Sequence, residues 1–255
     1  MAKIVSIHSF RGGTGKSNTT ANLAALLALE GSRVGIVDAD IQSPGIHVIF
    51  GRDADSFQLV LNDFLWGKCG IEECAYDVTA QVPGVGDGRV FLIPSSAHAG
   101  DIAKIIQDGY DINLLNEGFR RLALQLKLDY LLIDTHPGLN EETLLSLALS
   151  TVLVIVMRPD QQDYQGTGIT VEVARELEVP ALLLVVNKIP ASFDLGALTC
   201  KIEAAYSLPV AAAILHSDEI MSLASRDIFV CKYPEHSATH EYRRLLARIH
   251  QVVGV

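Results

Sequence analysis

The chain has 255 residues, with 20 Lys+Arg against 30 Asp+Glu and a formal charge of −10, which excludes a protein that coats polyanions indiscriminately. Apolar residues make up 49% and the mean hydropathy is +0.28, enough for a sizeable core and too much for a disordered acidic chain. One large α/β domain over residues 1–255 is expected at this length. Cys69, Cys74, Cys200 and Cys231 lack metal-site spacing and read as free thiols of a reducing compartment, the cytoplasm.

In chain order, short runs rich in Val, Ile and Leu are predicted as strands at Lys3–His8, Arg33–Asp38, Val90–Ile93, Asp129–Asp134, Thr151–Met157, Ala181–Asn187 and Pro209–Ile214. Most lack period-two alternation, as strands covered on both faces do. Lys3–His8 has too short an apolar run for a secretory signal, and Thr143–Met157 is too short for a membrane span. Helical patterns lie between the strands, at Lys16–Leu29, Ile112–Leu126, Glu141–Leu149, Gln165–Leu177, Leu195–Tyr206 and His240–Val252. The alternation predicts a doubly wound, mainly parallel sheet with helices on both faces. Residues 52–89, punctuated by glycines, are predicted as a loop-rich acidic excursion.

The sharpest motif follows the first strand: Phe10-Arg11-Gly12-Gly13-Thr14-Gly15-Lys16-Ser17, with Asn18 opening the helix behind it. A strand, a glycine loop and a helix start present backbone N–H groups and a positive helix end to phosphates. Glycines let the loop curl and the ligand approach closely. Lys16 then reaches the β- and γ-phosphates and the Ser17 hydroxyl ligates Mg²⁺. The strict G-x-x-x-x-G-K-[ST] pattern is not met, because Phe10 stands where its first glycine belongs.

A basic residue followed by Gly-Gly-x-Gly-Lys-Ser resembles the ParA/MinD family of deviant-Walker-A P-loop ATPases. Two further segments come in that family's order. Val37-Asp38-Ala39-Asp40-Ile41-Gln42-Ser43 resembles its first switch, and Tyr130-Leu131-Leu132-Ile133-Asp134-Thr135-His136-Pro137-Gly138 resembles its Walker B strand and second switch. The resemblance implies ATP and Mg²⁺ as cofactors, Asp40 orienting the attacking water, Asp38 and Asp134 in the magnesium shell, and the Gly138 N–H as a γ-phosphate sensor. It implies that Asn187, with Lys188 beside it, recognises the base. It also implies that the residue before the two glycines reaches into a partner's site across a nucleotide-sandwich dimer. Here that residue is Arg11, a planar bidentate donor where the family carries Lys. His136 stands where relatives commonly carry a small residue or Pro, and no proton transfer is assigned to it.

The resemblance further implies a slow, partner-stimulated ATPase that forms an ATP-dependent homodimer and positions a cargo in the cell through an unidentified activating or cargo protein. Nonspecific DNA stays open as a partner: residues 201–255 carry six basic and six acidic residues, while residues 52–118 carry eleven acidic against four basic. Membrane attachment is disfavoured, because Tyr242, Leu245, Leu246, Ile249, Val252 and Val253 form the stripe of a core-packing helix. The alternative function is a metabolic ligase of the dethiobiotin/cobyrinate synthetase type on the same scaffold. An iron–sulfur carrier would need bridging cysteines, and Cys69-x4-Cys74 lies in the wrong type of segment. A bacterial tyrosine kinase would need a C-terminal tyrosine cluster, where only Tyr233 and Tyr242 stand.

Overall fold

A computed structural model describes residues 2–223 and 225–254. Eight strands form one sheet: β1 (Lys3–His8), β2 (Arg33–Ala39), β3 (Tyr76–Asp77), β4 (Arg89–Ile93), β5 (Tyr130–Thr135), β6 (Val152–Met157), β7 (Leu182–Ile189) and β8 (Val210–Leu215). Their spatial order is β3-β4-β2-β5-β1-β6-β7-β8, and all neighbours run parallel except the short edge pair β3–β4. The expected mainly parallel sheet is present, with an antiparallel edge added. β1 lies centrally between β5 and β6, and ligands of open α/β sheets bind beyond the carboxyl ends of the strands where the winding reverses.

The helices are α1 (Lys16–Leu29), α2 (Ile46–Ile49), α3 (Leu61–Leu65), α4 (Ala99–Asp108), α5 (Ile112–Gln125), α6 (Glu141–Ala148), α7 (Gln161–Glu176), α8 (Leu195–Tyr206), α9 (Asp218–Leu223), α10 (Phe229–Lys232) and α11 (Ser237–Val253). α1 is Ala/Leu-rich and buried nearly all round. It packs with α11 on one sheet face, against Val5, Ile7, Leu132, Val154 and Val185. The opposite face is divided in two. One half joins β2, β4 and β5 to Leu61, Phe64, Ile71, Leu115 and Phe119; the other joins β6, β7 and β8 to Val171, Leu198 and Ile202. Between these halves β1 presents Ser6 and His8, both buried, with Ser6 bonded to Ser150 and to the Ser146 carbonyl.

Residues 52–89 are more ordered than the glycine pattern predicts. Short 3-10 turns, α3 and β3 occur there, and Leu61, Phe64, Leu65, Ile71 and Cys74 belong to the core. Two of its acids are paired, Asp63 with Lys68 and Glu72 with Arg121. The Cys69 and Cys74 sulfurs lie 3.5 Å apart. α11 buries Tyr242, Leu245, Leu246, Ile249 and Val253, whereas Val252 is 44% exposed and lies off the stripe to which it was assigned. Among the described residues no helix is long and apolar enough to cross a membrane.

Candidate functional site

The loop between β1 and α1 is shaped by two left-handed glycines, Gly13 at φ 76° and Gly15 at φ 101°. Gly15 is the N-cap of α1, so the loop's backbone runs straight into the positive helix end. A Cβ on Gly15 would stand 2.3 Å from Asn187 Nδ2. That close approach has a purpose: Asn187 Nδ2 donates to the Thr14 carbonyl at 2.8 Å, and Lys188 Nζ donates to the Gly13 carbonyl at 2.7 Å. Lys188 itself adopts φ 56° at a register irregularity between β7 and β8, which turns both side chains towards the loop. Asn187 and Lys188, the residues expected at the base, thereby brace the phosphate loop. Phe10 also has a physical place, because its ring lies against α7 where a Cβ on Gly166 would meet Phe10 Cδ1 at 2.0 Å.

Lys16 is buried, with Nζ 3.2 Å from Asp134 Oδ1 and 3.6 Å from Asp40 Oδ2. Burial alone would lower its pKa, but the Asp134 and Asp40 carboxylates raise it overall, so the charge is kept. Asp134 Oδ1 also takes the Thr20 hydroxyl at 3.4 Å, while its buried Oδ2 has no partner among the described residues. Asp38 is fully buried and accepts from the Asp40 and Gly45 N–H groups. Burial, with Asp134 and Asp40 nearby, pushes its carboxyl well above the usual range. Burial works the same way on Asp40, but the hydrogen bond from His136 and the charge of Lys16 outweigh it and leave its pKa low.

Three carboxylates thus share one lysine in a dry setting. Uncompensated charge there is costly, as the raised Asp38 carboxyl reflects, and a divalent cation supplies the positive charge that would let all three acids ionise together. The unpartnered Asp134 Oδ2 is an available ligand oxygen. Ser17, at the second position of α1, is half-buried. These residues fit Mg²⁺ bound with a phosphate chain on the loop.

Arg11 does not extend freely. Its Nη1 lies 3.4 Å from Asp160 Oδ1 and 3.6 Å from Asp163 Oδ1 at the start of α7, where Arg158 bonds the same two carboxylates. Asp160 is also the N-cap of α7. The Gly138 N–H, expected as a phosphate sensor, donates to the Ser9 carbonyl at 3.1 Å. His136 Nδ1 lies 2.7 Å from Asp40 Oδ1. Linear spacing does not show that His136 or Asp160 belongs to the site; the neighbouring of β2 with β5 and of β1 with β6 does. A second cleft, of about 680 Å³, opens beyond the loop between Lys188–Ala191, Leu215–Glu219 and His236.

A family model described as an AAA domain matches residues 2–179, a stretch holding the phosphate loop, both switch segments and six of the eight strands. The chain belongs to that family. Its fold is similar to that of the Mg-ADP complex of the septum site-determining protein MinD from Pyrococcus horikoshii, with a TM-score of 0.81, 23% identity and coverage of 100% of this chain and 98% of that one. An ATP-binding protein of Methanocaldococcus jannaschii is 26% identical over 251 residues, covering 98% of this chain and 88% of its own. An iron–sulfur cluster carrier protein of Pseudomonas fragi is 32% identical over 187 residues, covering 72% of this chain and 59% of that protein.

Proposed function

We infer that the chain is a single P-loop ATPase domain of the cytoplasm that binds ATP with Mg²⁺, hydrolyses it slowly and uses the cycle as a dimerisation switch to position a cargo. The observation that carries this reading is the acidic cluster beneath the loop, where Asp40 and Asp134 hold Lys16 and Asp38 lies buried beside them with its carboxyl pushed up. Ser17, Asp38 and Asp134 would hold the cation, which would supply positive charge to the phosphate chain. The N–H groups of Gly12–Lys16 cradle the phosphate chain and Lys16 moves to it from its carboxylates. Asp40 then orients the attacking water; phosphoryl transfer asks the protein mainly for such positioning and charge.

The Arg11 contacts support a conformational step. To reach a partner's nucleotide Arg11 leaves Asp160 and Asp163, with Arg158 remaining to satisfy both acids. Two nucleotides then join two copies through loops that hydrolysis releases. The exposed Arg243, Arg244 and Arg248 on the outer face of α11 suit a salt-sensitive contact with DNA gated by that dimer, and the burial of α11's apolar stripe speaks against membrane attachment.

Steady-state ATP hydrolysis with Mg²⁺, measured with no small-molecule acid present, tests the activity. Slow turnover that Lys16→Ala abolishes is expected, since that lysine is the cation common to the phosphates and the acids. Turnover only with an added carboxylic acid would instead mark a ligase. The iron–sulfur carrier named among the relatives is not favoured: Cys74 lies in the core with Cys69 packed against it, and burial pushes both thiols up, away from thiolate.

A further inference from the structure

β2 and β5 are in register from Val34 opposite Tyr130 to Ala39 opposite Thr135. Asp40 and His136 are the next facing pair, just past the ends of the two strands, and one comes from each switch segment. His136 Nδ1 is 2.7 Å from Asp40 Oδ1. The same oxygen accepts the Ser43 hydroxyl at 2.9 Å, so Oδ1 is doubly engaged and Oδ2 is left facing Lys16 at 3.6 Å. An ionised carboxylate only accepts, so His136 Nδ1 carries the proton between them. Ser43 is exposed and its hydroxyl rotates, whereas His136 is held. Thr143 Oγ1 donates to the His136 carbonyl at 3.3 Å, and Thr143 N–H is fixed by the Asn140 cap of α6.

We propose that His136 is a positioning residue for the hydrolytic step. By donating Nδ1–H to Asp40 Oδ1 it fixes the carboxylate plane, so that Oδ2 is the acceptor presented to water once Lys16 has moved to the phosphates. The proposal rests on the ATPase reading above. His136 touches no reacting atom and acts through Asp40; a neutral imidazole is sufficient, and no proton leaves it. Because the bond spans both switch segments, it also makes the water-orienting carboxylate depend on the position of the second switch.

A double-mutant cycle read by single-turnover ATP hydrolysis, with Mg²⁺ and a fluorescent ATP analogue to report affinity, tests this. His136→Ala is expected to slow hydrolysis roughly 10- to 100-fold, the range for losing a hydrogen bond to a charged group, with nucleotide affinity changed by less than about twofold. His136→Asn, which places a donor where Nδ1 stood, recovers most of the rate, and His136→Gln, which places it where Nε2 stood, does not. In an Asp40→Ala background His136→Ala has no further effect. A wild-type rate in His136→Ala overturns the proposal, as do additive losses in the Asp40→Ala background or loss of nucleotide affinity in the Asn variant. Wild-type protein that binds no nucleotide overturns the ATPase reading and the proposal together; wild-type protein that binds and hydrolyses ATP with His136→Ala unaffected overturns the proposal alone.

Discussion

His8 closes β1 immediately before the phosphate loop, fully buried, with Nδ1 2.8 Å from Thr135 Oγ1. Thr135 gives its only hydroxyl proton to the Ile7 carbonyl, so it accepts from His8, and His8 Nε2 has no partner among the described residues. Burial, reinforced by Lys16 and His136, lowers the His8 pKa from 6.5 to about 3. Between those values the unfolded chain binds the proton and the folded one does not, so stability is fully present above pH 6.5 and falls as the pH drops towards 3, with a slope of up to ~1.4 kcal/mol per pH unit. Urea unfolding at pH 7 and pH 5 should show wild type losing on the order of 2 kcal/mol more than His8→Asn; equal losses would mean that the folded imidazole ionises normally. At Gly15 an alanine meets both a left-handed φ and the Asn187 amide. Gly15→Ala should destabilise by ~1–3 kcal/mol and release the Asn187 brace, seen as loss of nucleotide binding. The loop glycines and Lys16 were legible in the sequence because the motif spacing ties them to the end of β1 and the start of α1, whereas the three aspartates were legible only through the family resemblance. The roles of His136 and Asp160 were not, since they depend on which strands become neighbours.

At the scale of elements, the seven strands predicted from apolar runs fall within two residues of observed ones, because strands buried on both faces need continuous Val, Ile and Leu. β3 escapes such a reading, being two residues long. α4 escapes it too: its apolar stripe is short, Ile102, Ile105 and Ile106, and of its ten residues only Ile105 is buried. The ambiguous C-terminal stripe is decided by packing, since Leu245 and Ile249 are wholly enclosed between α1 and the sheet. Leu245→Ala should cost ~2–5 kcal/mol of stability, measured by chemical denaturation. A stable Leu245→Ala protein that had lost vesicle binding would instead make α11 a membrane-surface helix. At the start of α7, Asp160 and Asp163 hold Arg11 and Arg158 together. Removing the buried member, Asp163→Asn, should destabilise the nucleotide-free protein and leave Arg11 more mobile, readable as faster exchange of the Arg11 guanidinium protons.

Across the whole molecule the charge of −10 is unevenly placed. Residues 52–118 hold most of it, on a packed flank of the sheet, while the α11 surface presents Arg243, Arg244 and Arg248. A protein so arranged repels polyanions in general and can still offer one local basic contact. What turns that contact on, in this account, is pairing of two copies through their phosphate loops, for which each chain has a lysine-poor triad of acids and a parked Arg11. Size-exclusion chromatography of wild type and Asp40→Ala with ATP and Mg²⁺ tests that claim most directly. A dimer that appears only with ATP, and accumulates further in Asp40→Ala because the water is no longer oriented, is the predicted result. A monomer in both proteins at saturating nucleotide would contradict it.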